Sequence, residues 1–145
     1  MNRKLFLASS LFLLLCSAAK AQSVKSSSIQ RFGMVTGLKP EKIAYYQQIH
    51  DAPWPGVLKK IRECHIQNYS IYLQKIEEKY FLFSYFEYTG NDFGGDMKKM
   101  AEDSTTQRWW KVTNPTQLPL PEAAARQQTW TNMKEVFHTN GSLIH

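Results

Sequence analysis

The stretch that decides the fold is Tyr80-Phe81-Leu82-Phe83-Ser84-Tyr85-Phe86-Glu87-Tyr88. It is almost continuously aromatic and apolar, which is typical of a strand that is covered on both faces. A sheet built around such a strand needs a second layer of structure to bury its apolar side chains. We therefore predict a central strand at residues 80–88 that is buried on both faces.

The segments on either side of this strand alternate between the strand period and the helix period. Two predicted helices have a proline in the first turn, Pro40 in the first helix and Pro55 in the second. The Pro53-Trp54-Pro55 run ends the first helix and separates it from the second. Before the central strand we predict a strand at 31–36 ended by Gly37, a helix from Lys39, a second helix from Pro55, a strand at 68–73 and a charged turn at 74–79. After the central strand we predict helices at 96–102 and 104–111, with Ser104 as the cap of the second one. A Pro-rich loop at 114–121 and a last strand at 133–138 follow.

The order strand, helix, strand, strand, helix, strand is that of the ferredoxin-like split βαβ sandwich. This α+β plan places helices on one face of a four-stranded antiparallel sheet and leaves the other face bare. The central strand is too apolar for that bare face to meet water. We therefore predict a two-fold homodimer in which two sheets face each other as a dimeric α/β barrel.

The N-terminus has the three parts of a secretory signal peptide. Arg3 and Lys4 precede a short apolar stretch at 5–15, and small Ala19 and Ala21 precede a cleavage position after Ala21. The stretch is shorter than the ~20 residues of a membrane span. We predict a signal peptide at 1–21, a flexible Ser-rich lead-in at 22–30, a folded domain at 31–138 and a tail at 139–145, with the mature chain exported to the periplasm and free of the membrane.

Lipidation of Cys16 is an alternative, but bulky Leu15 precedes that cysteine and favours plain cleavage. Cleavage after Ala21 would leave Cys64 as the only cysteine, so no internal disulfide is expected. A lone thiol with scattered histidines forms no metal-ligand pattern. We predict no metal and no cofactor.

The basic balance of the chain comes partly from the signal peptide. The whole chain has 18 Lys and Arg against 12 Asp and Glu, a net charge of +6. Loss of Arg3, Lys4 and Lys20 leaves 15 basic residues against the same 12 acidic ones, a net charge of +3. This charge gives little support to nucleic-acid binding, which we do not expect.

His50 is the most suggestive titratable residue. It shares a helical face with Tyr46, four residues earlier, and precedes the Pro53-Trp54-Pro55 break, where a side chain can face a cleft. Histidine titrates near neutral pH and can both give and take a proton. His50 is therefore our candidate for proton transfer.

Aromatic residues supply the parts of a sugar-binding site. Trp109 and Trp110 are adjacent and point ~100° apart on a helix, so we expect one to pack inward and the other to line a cavity. Tyr69 and Tyr72 are three apart on a strand and should face opposite ways. Aromatic rings stack on the C–H face of a pyranose, while Tyr and His bond its hydroxyls. We predict a monosaccharide ligand.

At these residues the chain resembles the L-rhamnose mutarotase family, over about residues 31–138. The matching stretches are Tyr46-Gln47-Gln48-Ile49-His50 followed by Trp54-Pro55, Asn68-Tyr69-Ser70-Ile71-Tyr72-Leu73, Gln107-Arg108-Trp109-Trp110-Lys111, and Lys134-Glu135-Val136-Phe137-His138. The resemblance implies a dimeric α+β barrel that interconverts the anomers of L-rhamnose without a cofactor. It implies that His50 is the general acid and that Tyr46, Tyr69, Trp109 and Trp110 contact the sugar.

The predicted function is therefore an aldose mutarotase, an isomerase acting on L-rhamnose or a related 6-deoxy hexose. In this hypothesis His50 protonates the ring oxygen, and a Tyr hydroxyl or a water is the complementary partner. Two alternatives stay open: a non-catalytic exported sugar-binding module, and a dimeric α+β barrel monooxygenase acting on an aromatic or haem-like ligand.

Overall fold

The computed structural model describes residues 29–139. The predicted signal peptide and nearly all of the lead-in and tail lie outside these residues. The elements are β1 (Gln30–Leu38), α1 (Ile43–Asp51), α2 (Pro55–Glu63), β2 (Ile66–Ile76), β3 (Lys79–Tyr88), α3 (Phe93–Glu102), α4 (Ser104–Thr113), β4 (Gln117–Leu118), α5 (Pro121–Ala125) and β5 (Thr131–Met133). Single 3₁₀ turns, Pro40–Lys42 and Asn114–Thr116, precede α1 and β4. No helix within 29–139 is long and apolar enough to cross a membrane.

The strands form one curled antiparallel sheet in the order β2-β3-β1-β4, and β5 also pairs with β1. β4 pairs with β1 at Gly37 and Leu38, whereas β5 pairs with it from Gly33 to Val35, so the two short strands share one edge of β1. This is the strand order of the split βαβ plan, with its last strand divided in two. The predicted α+β fold class is confirmed.

Strand β3 lies between β1 and β2 and alternates strictly in burial. Leu82, Phe86 and Tyr88 are buried in clusters that include side chains from the helices, whereas Phe81 and Phe83 on the opposite face are only half-buried. The prediction that β3 is buried on both faces is wrong for the single chain, because the helices pack against one face only.

The hairpin between β2 and β3 is tighter than predicted. Ile76 pairs directly with Lys79, so Glu77 and Glu78 alone form the turn, and Glu77 has the positive φ of 53° that such two-residue hairpins use. The charged residues from 74 onward indicated a turn, but most of them extend the strands. β2 is an edge strand, where charged side chains are well tolerated.

A bulge in β2 determines where its tyrosines point. Pairing skips from Gln67 opposite Glu87 to Ser70 opposite Tyr85, so two residues oppose one. Asn68 takes up the extra length with a φ of 50°. Tyr69 then lies on the helix-covered face, with its ring 5.5 Å from that of Phe86, and Tyr72 projects from the opposite face. The two tyrosines face opposite ways, as predicted.

Two aspartates begin the helices after β3. Asp92 accepts from the Gly95 backbone N–H at 3.0 Å, and Asp103 accepts from the Thr106 backbone N–H at 2.8 Å. The prediction that Ser104 caps α4 is therefore wrong by one residue. Asp103 is in extended conformation just before the helix, from which its carboxylate reaches the free N–H groups of the first turn.

The C-terminal strand is shorter than predicted. β5 ends at Met133, opposite Gly33, and Val136 and Phe137 are 89% and 80% exposed. The predicted strand at 133–138 is wrong beyond Met133. An alternating apolar pattern forms a strand only where the chain stays beside a free sheet edge, and here it leaves that edge.

Asp96 fastens α3 to the sheet. Its buried carboxylate accepts hydrogen bonds of 2.8 Å from Lys99 Nζ, the Tyr88 hydroxyl and His65 Nδ1. Lys99 and then the Tyr88 and His65 hydrogen bonds hold the pKa of Asp96 well below its usual range. Cys64 is a buried free cysteine, and burial raises the pKa of its thiol.

Candidate active site

His50 lies in the last turn of α1, stacked on Tyr46 one turn earlier, with ring centroids 4.0 Å apart. Its Nδ1 is 2.8 Å from the Tyr46 carbonyl oxygen. Because a carbonyl oxygen can only accept a hydrogen bond, Nδ1 carries the hydrogen in neutral His50. The other ring nitrogen, Nε2, is then the atom that can exchange a proton with a ligand.

Trp109 packs against the His50 imidazole, and Trp54 packs against Trp109. The Trp109 ring meets the His50 ring edge-on at 5.1 Å, and Trp54 meets Trp109 edge-on at 5.4 Å. Trp54 is positioned by the break between α1 and α2, where Pro55 starts the second helix. The proline break that the sequence predicts therefore places an aromatic wall beside His50.

A cavity of about 250 Å³ opens beside this wall. Its rim is polar and its floor is the helix-covered face of the sheet. It is lined by Tyr46, Gln47, His50, Asp51, Ile71, Leu73 and Leu82. A half-enclosed cavity with apolar walls and a few polar groups is the usual form of a small-ligand site.

Burial determines the protonation states in this cavity. The half-buried position lowers the pKa of His50, and its hydrogen bond to the Tyr46 carbonyl and nearby Asp51 only partly oppose this. Burial raises the pKa of Tyr69 to about 12. Burial, with a further contribution from Tyr69, also raises the pKa of Tyr46. At neutral pH the imidazole is therefore mainly neutral, and both phenols keep their protons.

Gln117 is a site residue that sequence reasoning missed. Its side chain lies beside the Tyr46 hydroxyl and lowers the pKa of Tyr46 against the larger effect of burial. The residue comes from β4, within the stretch predicted as a Pro-rich loop. Nothing in the local pattern shows that this two-residue strand reaches the floor of the site, since only its pairing with β1 carries it there.

The five residues predicted for the site do not all meet. His50, Tyr46 and Trp109 form one cluster, whereas the Tyr69 ring packs against Phe86. Trp110 instead lines a separate open depression of about 430 Å³ on the other side of α4, with Gln107, Lys111, Asn114 and Pro115. One tryptophan thus packs inward and the other lines a hollow; the sugar contact expected of Trp110 stays a prediction.

A curled antiparallel sheet with helices on one face and a histidine in an aromatic-walled cavity define a small α+β barrel-like protein. The chain is similar to the crystal structure of an L-rhamnose mutarotase from Formosa agariphila, with a TM-score of 0.58 at 20% identity, covering 77% of this chain and 99% of that one. This likeness shows the fold.

Sequence comparison shows the family. The L-rhamnose mutarotase family profile matches residues 31–139. The L-rhamnose mutarotase of Oceanobacillus iheyensis is 30% identical over 110 residues, 76% of this chain and 98% of that protein. That of Bacillus subtilis is 31% identical over 87 residues, 60% of this chain and 79% of that protein. The chain belongs to the L-rhamnose mutarotase family, whose members are isomerases.

The two adjacent tryptophans differ enough in burial to separate their structural roles. Trp109 is 8% exposed and Trp110 is 36% exposed. We expect Trp109→Ala to lower the free energy of unfolding by about 3–5 kcal/mol, since it leaves a cavity beside His50 and Trp54. Trp110→Ala is the matched control and should cost less than about 1 kcal/mol. Urea unfolding followed by far-UV circular dichroism measures both, and equal losses would contradict this assignment.

Proposed function

We propose that this chain interconverts the α and β anomers of L-rhamnose or a closely related 6-deoxy hexose. Family membership and the names of the relatives support the reaction and the sugar. The observation that carries the proposal is the His50 imidazole, whose Nδ1 donates to a backbone carbonyl and whose ring lines a cavity together with Tyr46 and apolar side chains of the sheet. One proton-transfer group beside a sugar-sized hollow is what ring opening requires.

In the proposed mechanism His50 moves a single proton. Neutral His50 accepts the proton of the anomeric hydroxyl at Nε2 while the bond between C1 and the ring oxygen breaks. The imidazolium then donates that proton to the ring oxygen, which gives the open-chain aldehyde. Rotation about C1–C2 and the reverse steps close the ring on the other face. Both oxygens are bonded to C1, so one imidazole can serve both, and positioned proton transfer typically contributes about 10²–10⁴-fold.

Tyr46 and Tyr69 act as hydrogen-bond donors in this proposal. The raised pKa values of Tyr46 and Tyr69 make phenolate bases unavailable at neutral pH. Gln117 interacts with Tyr46 and, in this proposal, helps to orient its hydroxyl towards a ligand. Trp109 supports the His50 ring from the side, since the two rings meet edge-on. No tyrosine is needed as a second proton-transfer group, because His50 serves both oxygens.

Replacing His50 by alanine should abolish enzyme-driven anomer exchange and leave the fold intact. The expected loss is at least about 10²-fold in kcat, because positioned proton transfer is removed. Saturation-transfer NMR on L-rhamnose measures the exchange rate above the spontaneous rate. The control is His65→Asn, which removes an imidazole outside the cavity at a φ of 57° that Asn also adopts.

Unchanged exchange in His50→Ala would exclude the role of His50. If the wild-type protein binds the sugar without exchange above background, the chain is a sugar-binding module. Absorbance changes with haem, and none with sugar, would favour the monooxygenase alternative.

The rate of exchange should depend on pH through His50. Burial lowers its pKa from the ordinary 6.5, so the neutral form that accepts the first proton dominates above that value. We expect kcat/KM to be constant between about pH 7 and 8 and to fall on acidification through a pKa below 6.5. A rate that instead rises as the pH falls, after subtraction of the acid-catalysed background, would mean that imidazolium acts first and would contradict the proposed order.

We also propose that two chains pair through the sheet face that the helices leave open. This face carries half-buried Phe81 and Phe83 and exposed Tyr72. The segment with exposed Val136 and Phe137 begins at the edge of the same face. An apolar surface of this kind on a small chain is typical of a subunit interface.

A charge placed in the middle of this face should separate the subunits. We expect Phe83→Lys to convert a dimer to a monomer in sedimentation equilibrium, because the charge would be desolvated in the interface. Leu58→Lys on α2, another partly exposed apolar position, is the control and should stay dimeric. A monomeric wild-type protein would contradict the proposed pairing.

A further inference from the structure

Within residues 29–139, three buried polar atoms on the helix-covered side of the sheet have no hydrogen-bond partner. They are Thr36 Oγ1, Ser84 Oγ and Gln117 Oε1, on side chains of residues that are 0%, 2% and 6% exposed. A buried polar atom without a partner costs about 1–3 kcal/mol, and such atoms are rare in folded proteins. Three on one face of one small sheet call for a physical explanation.

All three residues are neighbours of residues that line the His50 cavity. Thr36 is paired with Leu82, and Ser84 with Ile71, and both Leu82 and Ile71 line that cavity. The Gln117 side chain interacts with Tyr46, which lines the same cavity. The three residues are therefore on the helix-covered face of the sheet, next to the residues that line the site.

The other unpaired side-chain atoms in residues 29–139 lie elsewhere. Arg31 is paired with Glu87, and Thr131 with Val35, which places both on the sheet face away from the helices. Thr131 is thus an internal comparison: its hydroxyl is also buried and unpaired, but it belongs to no cavity that His50 lines.

We propose that Thr36, Ser84 and Gln117 form a polar floor that binds the ring hydroxyls of the sugar and so selects the substrate. This inference rests on the proposed function and adds specificity-determining residues to it. Thr36 and Ser84 are diagonal neighbours on adjacent strands, where residue positions are about 7 Å apart, so their side chains can reach two different hydroxyls of one pyranose. They can donate or accept, whereas the free oxygen of Gln117 can only accept.

The polar floor predicts the class of ligand. A sugar must offer a hydroxyl donor to Gln117 and hydroxyls to Thr36 and Ser84, directly or through one bridging water, where the Leu82 and Ile71 side chains separate. A ligand without these hydroxyls leaves the buried atoms unpaired, and sites of this kind discriminate strongly against such analogues. The floor therefore selects a polyhydroxylated ring over an aromatic or deoxygenated one.

Removing the floor hydroxyls should separate stability from sugar binding. In Ser84→Ala and Thr36→Val an unpaired buried atom disappears, so the free energy of unfolding should stay the same or rise. Loss of a hydrogen bond to the sugar should raise both KM for exchange and Kd from calorimetry by about 5- to 20-fold, with kcat little changed. Thr131→Val is the matched control: the same chemical change should leave KM and Kd at wild-type values.

Deoxy analogues of L-rhamnose, each lacking one ring hydroxyl, identify the hydroxyl that each floor residue binds. The analogue that lacks the hydroxyl bound by Ser84 should have a raised Kd with the wild-type protein. The Ser84→Ala variant should bind that analogue with the same Kd, because the hydrogen bond is already missing. Wild-type KM and Kd in both floor variants would overturn the inference while leaving the mutarotase proposal in place. A large loss of stability in either variant would also overturn it, because the hydroxyl would then have a partner within the fold. If the wild-type protein binds the sugar without anomer exchange and the variants have a raised Kd, the mutarotase reaction would be refuted. The same result would support the binding role of the polar floor.

Discussion

Helices cover one face of the sheet and not the other, and most of the structure follows from this constraint. β3 carries large apolar side chains in both directions, but α1 to α3 contribute side chains only to the face with Leu82, Phe86 and Tyr88. The covered face becomes both the core and the floor of the His50 cavity. The open face keeps its aromatic residues half-exposed, which is why we propose that a second subunit packs there.

The chemistry of the cavity depends on a similarly simple constraint. A carbonyl oxygen accepts a hydrogen bond and cannot donate one, so the Tyr46 carbonyl determines which nitrogen of neutral His50 carries hydrogen. Burial then acts in opposite directions on the two kinds of side chain. It favours the neutral imidazole and the protonated phenols, because in each case the charged form is the one that loses solvation. The neutral His50 imidazole is therefore a potential proton acceptor, and the nearby tyrosine hydroxyls are hydrogen-bond donors.

The floor of the cavity shows how stability and function can compete at one position. A sheet interior filled by apolar side chains at positions 36 and 84 would have no unpaired hydroxyls to bury. The chain instead places Thr36 and Ser84 there, next to strongly apolar Leu82 and Phe86. Buried polar groups of this type have a physical rationale when a ligand completes their hydrogen bonds, and Gln117 shows that a partial network already reaches the site.

Much of this protein can be predicted from its residues in order. The period-two and period-four patterns identify β1 to β3 and α1 to α4, and the proline break at 53–55 places Trp54 beside the site, because proline geometry acts locally. The spacing of Tyr46 and His50 puts both on one helical face for the same reason. Local patterns did less well at 74–79, at Ser104 and at 134–138, where edge position, cap geometry and distance from a free edge decide the outcome.

Other features exist only after the strands have paired. The bulge at Asn68 turns Tyr69 inward, and the pairing of β4 with β1 brings Gln117 to Tyr46. Trp109 and Trp110 are chemically equal neighbours in the chain, and only packing against Trp54 and His50 separates them. Short-range sequence patterns determine the conformation of a segment. A site is made of contacts between segments that are far apart in sequence. Those contacts depend on which edge and which face of the sheet each segment packs against.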